Sequence, residues 1–296
     1  LVLETKGILL SKRLIIFEVQ SKKTITDVNL YFECDCSGIK ITDLNNDGIY
    51  EIIKANTHNS GSVAYELSVL KQINGKFAEV SSVNVDNALS SLISIEADTV
   101  SLDGIIRIYV DGYKVDGTLS TFCYSWSEVE QSITDTSEFL PSVSRGVFIK
   151  SEDIDNDGLV EVPSNADLYD SSVVSSDYSE QKINTILWSR VTENGKKDVG
   201  YYIVNNKDRY TFKFDAEWIH KYTFVINLNE GRFTFHSLNK ELKRENALFS
   251  VYSTQEEHKE YEKIYQKNDI NYYLIINDDA EHHGFNSEKI KKLIMF

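Results

Sequence analysis

One nine-residue pattern, D-x-[DN]-x-D-G-x-x-E, occurs twice in this sequence and constrains its fold more than any other feature. The copies are Asp43-Leu-Asn45-Asn-Asp47-Gly48-Ile49-Tyr-Glu51 and Asp153-Ile-Asp155-Asn-Asp157-Gly158-Leu159-Val-Glu161. Side-chain oxygens at positions one, three and five of a tight loop converge on one point. Glycine at position six permits the sharp turn, and a carbonyl at seven and a carboxylate at nine can complete a shell of hard ligands. Loop two offers four carboxylates; loop one offers three, with Asn45 supplying a neutral oxygen. Carboxylates crowded around a point repel unless a cation sits among them. The spacing therefore predicts two structural calcium ions, loop one binding the more weakly. The ligands are Asp43, Asn45, Asp47, Ile49 through its carbonyl and Glu51 in one loop. In the other they are Asp153, Asp155, Asp157, Leu159 through its carbonyl and Glu161. The metal-free alternative is an acidic turn closed by Asx hydrogen bonds. An EF-hand would need an acid at position twelve and a helix on each side. Position twelve is Lys54 in one loop and Ser164 in the other, and the flanks Ile39–Thr42 and Tyr50–Ala55 are β-like, so the loops join strands.

The two loops sit in matching units, 110 residues apart. Each unit reads strand, acidic loop, strand, loop, strand, tight turn, strand, which is a four-stranded antiparallel meander. Residues 92–129 fit a third such unit between them, with Ser101-Leu-Asp103-Gly104 in place of the acidic loop. Asn74-Gly75, Asp103-Gly104, Asp111-Gly112 and Asn194-Gly195 are tight-turn signals, because both residue types tolerate positive φ. Units of roughly 40–50 residues are the blades of β-propellers. Beyond residue 200 the pattern changes. A hairpin around Asn229-Glu230-Gly231, strands at Ala247–Ser253 and Asn271–Asn277, a helix over 254–266 capped by Thr254, and a closing helix over Ser287–Phe296 read as a small α+β module. The expected fold is mainly β: a propeller-like domain over 1–200 built of four-stranded antiparallel blades, then an α+β domain over 201–296.

Charge narrows the partners. The formal net charge is −15. Residues 1–200 hold 17 basic against 31 acidic side chains and residues 201–296 hold 14 against 15, so the excess acid lies with the loops. This sign excludes nucleic acid and anionic lipid as partners. No apolar run reaches the ~18 residues of a membrane span. Cys34 and Cys36, on one strand, would stand about 6.6 Å apart, too far for a bridge; either could meet Cys123. Three cysteines supply no four-ligand zinc site. No nucleophile, zinc-protease or phosphate-loop motif occurs. His220 near Trp218 and Asp215 reads as a packing or surface position, with a base as the alternative; His282-His283 beside Asp278, Asp279 and Glu281 reads as a solvated polar turn, with a metal cluster as the alternative. Trp126, Trp188 and Trp218 read as core, with a sugar-stacking platform as the alternative.

The two loops with their strands resemble the FG-GAP or VCBS-type repeats of calcium-bearing β-propellers. The fuller pattern, with YVDGYKVDG upstream of DIDNDGLVEVP, is similar to surface lipoproteins of low-GC Gram-positive bacteria. The resemblance covers roughly residues 30–200 and is specific at the two loops. It implies an ion that ties the outer strands of a blade, and an extracellular or cell-surface location with a lipid anchor upstream. It also implies a non-enzymatic binding or adhesion module for a protein or glycan ligand, not inserted in the membrane. The alternative is a glycan-active hydrolase or lyase on the same scaffold, marked by a cleft with two carboxylates outside 43–51 and 153–161.

Overall fold

The computed structural model describes residues 2–6, 12–19, 28–57, 65–86, 88–101, 103–137, 144–145, 149–175 and 183–296, with backbone alone up to residue 36. His58, Gly146, Phe148, residues 176–182 and the side chains of Cys34 and Cys36 lie outside the described residues.

The chain is mainly β, as its short branched and aromatic runs predict, and the strands form several sheets, largely antiparallel, with one parallel pair in the last. The first contains β1 (Val2–Lys6), β2 (Lys12–Val19) and β3 (Val28–Cys36). The second is a meander of β4 (Gly38–Thr42), β5 (Glu51–Thr57), β6 (Tyr65–Ile73) and β7 (Lys76–Asn84). The third repeats that plan with β8 (Leu89–Ala97), β9 (Ile106–Lys114), β10 (Leu119–Ser127) and β11 (Ser132–Asp135), and β12 (Ser144–Arg145) joins it against β10. A sheet of β13 (Glu161–Asn165), β15 (Ile183–Thr192), β16 (Gly195–Asn205), β17 (Tyr210–Asp215) and β23 (Ile294–Met295) follows the second acidic loop. The last sheet runs β14 (Ser172–Val174), β18 (Tyr222–Asn227), β19 (Arg232–Leu238), β20 (Arg244–Thr254), β22 (Ile270–Ile276), β21 (Glu262–Lys267). The β6–β7 hairpin closes on Asn74-Gly75, with φ of 52° and 76°. Two consecutive positive φ angles are what a two-residue hairpin of the right twist needs.

The helix expected over 254–266 is not formed; residues 262–267 are strand β21, paired antiparallel with β22. The only apolar residues of the segment at helical spacing, Tyr261, Ile264 and Tyr265, span little more than one turn of the expected helix. Asn268 and Asp269, with φ of 47° and 63°, make a tight hairpin turn, so the ladder to β22 wins. The closing helix is α2 (Ser287–Leu293), where the Asn286 side chain accepts from the Lys289 N–H at 2.9 Å; α1 (Asp279–His282) is one short turn.

The chain divides into two compact units, 1–163 with 189–197, and 164–188 with 198–296. The single cut expected at residue 200 falls inside β16. In the first unit, Ile53, Leu67, Val69, Ile108, Val110, Phe122, Tyr124 and Trp126 alternate along their strands into a common core. The second unit has an aromatic core of Phe212, Phe214, Trp218, Phe233, Phe235, Phe249 and Phe285, with ring centroids such as Phe212–Phe233 at 4.8 Å and Phe235–Phe249 at 4.9 Å. All three tryptophans are buried, so the core reading holds and they form no exposed platform. Cys123 is a free thiol buried in the first unit, and burial pushes its pKa up to about 12.

A buried ion pair pins the segment after β11 to the second meander. Arg145 donates to Asp111 at 2.7 Å and to Thr121 Oγ1 at 2.8 Å, and the Ser151 N–H bonds the other Asp111 oxygen at 2.6 Å. Asp111 also accepts from Ser94 and Thr121, so a charge that would be costly if bare is met on every side.

Candidate metal-binding loops

The two acidic loops fold alike. The first connects β4 to β5; the second runs into β13 from the Glu152–Glu161 bridge. At position four, Asn46 and Asn156 have φ of 58° and 61°; at position six, Gly48 and Gly158 have 85° and 90°. The position-one aspartate caps the turn in both. Asp43 accepts from Asp47 N–H at 3.1 Å and Gly48 N–H at 2.8 Å; Asp153 accepts from Asp157 N–H at 3.1 Å and Gly158 N–H at 2.9 Å. Asp47 and Asp157 accept from Ile49 and Leu159 N–H at 2.7 and 3.0 Å. Glu51 and Glu161 reach back to Leu44 and Ile154 N–H at 2.8 and 3.1 Å. Both glutamates are buried, and burial raises their pKa against those hydrogen bonds.

Around this shared frame the loops differ. In loop two, oxygens of Asp153, Asp155 and Glu161 lie within 4.8 Å of one another. That span suits ligands each standing about 2.3–2.6 Å from one calcium ion, and the donors are hard oxygens of the kind calcium takes. Loop one gathers no such carboxylate trio; its Asn45 donates its amide N–H to Asp47 at 2.8 Å and Glu128 at 3.2 Å and accepts from the Asp47 N–H at 3.2 Å. Ile49 and Tyr50 are 49% and 60% exposed, whereas Leu159 and Val160 are 4% and 3%. Val160 packs with Tyr109, Cys123, Val162 and Val191. The Gly158 carbonyl accepts from Thr99 N–H at 2.8 Å, and Val160 N–H donates to the buried Asp98 at 2.8 Å.

Each loop also meets a basic side chain from the neighbouring strand, which the sequence reading missed. Arg190 on β15 lies 2.6 Å from Glu161, 2.7 Å from Asp157 and 3.5 Å from Asp155 through one guanidinium nitrogen. Lys71 on β6, one step past the Ile52–Leu70 pair, lies 3.7 Å from Glu51 and 2.5 Å from Glu128. Burial works against ionisation of Glu128, yet bonds from Lys71, Trp126, Gln131 and Asn45 hold its pKa down at about 2. The turn at 99–107 is a third version. Counting Gly104 (φ 81°) as position six, Asp103 at position five accepts from Ile105 N–H at 3.2 Å, as in the other loops. Position nine is Arg107, which bonds Asp103 at 2.5 Å. Here the turn carries its own cation in place of the glutamate.

No family model matches this sequence, and no curated protein does. Among solved structures, a GH43_1 enzyme from Xanthomonas citri is similar over 82% of this chain and 88% of its own, at 8% identity and a TM-score of 0.32. That neighbour is an enzyme, and the expectation of a non-enzymatic chain is withdrawn rather than carried forward. At that TM-score it assigns no reaction and no residue here.

Proposed function

We propose that the acidic loops of the first unit are structural calcium sites in a repeated, propeller-like β scaffold of the FG-GAP or VCBS type. The supporting observation is the recurrence, loop for loop, of the same dihedrals and carboxylate-to-backbone bonds, with the oxygens of Asp153, Asp155 and Glu161 gathered in one span. A bound ion would supply charge and rigidity there and no chemistry. The protein's own residues hold the loop shape and bury Glu51 and Glu161 at the strand starts. Affinities in the micromolar to millimolar range suit an extracellular or surface-anchored protein, where calcium is plentiful. A ligand bound only by the folded state stabilises it, by about 2.7 kcal/mol at one hundred times Kd. Millimolar calcium is therefore expected to raise the melting temperature of the chain and EDTA to reverse the rise. Identical melting curves in the two would remove the reading.

For the second unit, we infer a glycan-active enzyme. The observation in favour is a 740 Å³ cleft in the second unit whose lining includes Asp208 and Glu230, both outside the acidic loops, beside Tyr252 and Arg232. Two carboxylates flanking an open cleft are the equipment of glycoside hydrolysis. Asp208 is held by Asn205, whose amide donates to it at 2.8 Å. Turnover of a panel of plant and bacterial glycans, abolished in Asp208→Asn and Glu230→Gln, is the expected result. Equal turnover by both variants would clear these residues of the role.

A further inference from the structure

Arg190 stands where a divalent ion would make its demands. Its guanidinium lies within 3.5 Å of Asp155, Asp157 and Glu161, and Nε adds a 2.9 Å bond to Glu161. Asp155 and Glu161 belong to the trio that also includes Asp153. Glu161 is fully buried, so without a partner its charge would be strongly disfavoured. Lys71 faces Glu51 across the strands in loop one, and Arg107 neutralises Asp103 within the turn at 99–107. Three versions of one turn thus each keep a basic group from the chain against the acids of the loop.

We propose that Arg190 is the resident counter-cation of loop two and competes with calcium for Asp155, Asp157 and Glu161. The inference rests on the calcium reading above and adds how that site is regulated. With no metal, the guanidinium keeps the carboxylates together and the loop in shape. For an ion to take these oxygens, Arg190 must give up bonds to at least two of the three acids, because a cation coordinated there would repel it. Arg190 therefore sets the calcium affinity low and makes filling of the loop an exchange of one cation for another. Arginine suits the task, since its planar fork can meet several carboxylate oxygens at once, which a lysine ammonium does only as a point charge.

The test is calorimetric titration of calcium into the full chain carrying Asp43→Asn, which weakens loop one, with Arg190, Arg190→Lys or Arg190→Gln. Glutamine at 190 is expected to tighten binding roughly tenfold or more and lysine by less. In EDTA, thermal melting should fall for Arg190→Gln, whose Glu161 is left unpaired, and calcium should restore it. If Arg190→Gln does not fold, the lysine variant decides alone. Equal affinities for wild type and variants would overturn the competition and leave the calcium reading standing. Weaker binding by the variants would make Arg190 part of the site's support and also overturn it. Binding by none of the proteins at millimolar calcium would remove the reading and the inference together.

Discussion

Asp98 carries the clearest single-residue consequence. It is buried, and burial pushes its pKa up to about 7 from 3.8, against the pull of the Val160 N–H and of Arg107, with Glu161 pushing the same way as burial. The folded chain thus holds a proton between about pH 4 and 7 that the unfolded chain releases. Stability present below pH 4 is lost as pH rises toward 7. Asp98→Asn keeps one oxygen for the Val160 N–H, gives up the acceptor that faces the Arg107 N–H, and removes the ionisation. Urea denaturation in EDTA should show a flatter decline over that window in the variant, reduced rather than abolished because Glu51 and Glu161 are raised by burial as well. A slope equal to the wild type's would show that Asp98 is not the titrating group. At this scale the legible residues were those whose partners are close in the chain. Asp43, Asp47, Asp153 and Asp157 cap turns two to five residues away, so spacing alone exposed them. Lys71, Arg190 and Asp98 act across strands joined by connections of unequal length, and no fixed offset in the sequence points to them.

At the scale of elements, the strands around the loops were readable because their apolar residues alternate; Asn74-Gly75 turns as expected, whereas Asp111-Gly112 lies inside β9 and makes no turn. The runs Ile39–Thr42 and Tyr50–Ala55 fall on β4 and β5. Segment 254–266 departs from the helix expected of it because charged residues with capping signals mimic a helix, while the deciding term is the pairing of 262–267 with β22 through the Asn268-Asp269 turn. The loops allow a matched comparison. Gly48 and Gly158 share positive φ, which an L side chain adopts at a cost of about 1–2 kcal/mol. A Cβ on Gly48 would meet nothing within 4 Å, whereas one on Gly158 would stand 2.9 Å from Thr99 Oγ1 and 3.0 Å from both Val100 methyls. Gly48→Ala should therefore lose about 1 kcal/mol of unfolding free energy, the backbone cost alone. Gly158→Ala should lose clearly more. Equal losses in chemical denaturation would mean that the turn at 99–100 yields freely.

At the scale of the molecule, the acidic loops and their counter-cations belong to one compact unit and the aromatic core to the other. The exact assignment of 164–188 to the second unit did not show in the sequence, because it depends on strands brought together from distant positions. Each unit also contains its own optical reporter. Trp126 donates through Nε1 to Glu128 at 3.0 Å, and Glu128 in turn binds Asn45 and Lys71 of loop one. Trp218 sits among Phe214, Tyr222, Phe235 and Phe285, all in the second unit. An ion drawn into loop one has to take the Asn45 carbonyl oxygen from the Asp47 N–H and shift the amide that donates to Asp47 and Glu128, and so disturbs the bond network of Glu128 and the indole it accepts from. A chain retaining Trp126 alone, with Trp188 and Trp218 changed to Phe, should change its emission on calcium addition with the titration curve of loop one. A chain retaining Trp218 alone should stay flat over the same range. A silent Trp126 in a protein whose loop one is shown calorimetrically to fill would mean that the ion enters without moving Asn45. An equal response from Trp218 would mean that calcium acts beyond the loops that the first unit supplies.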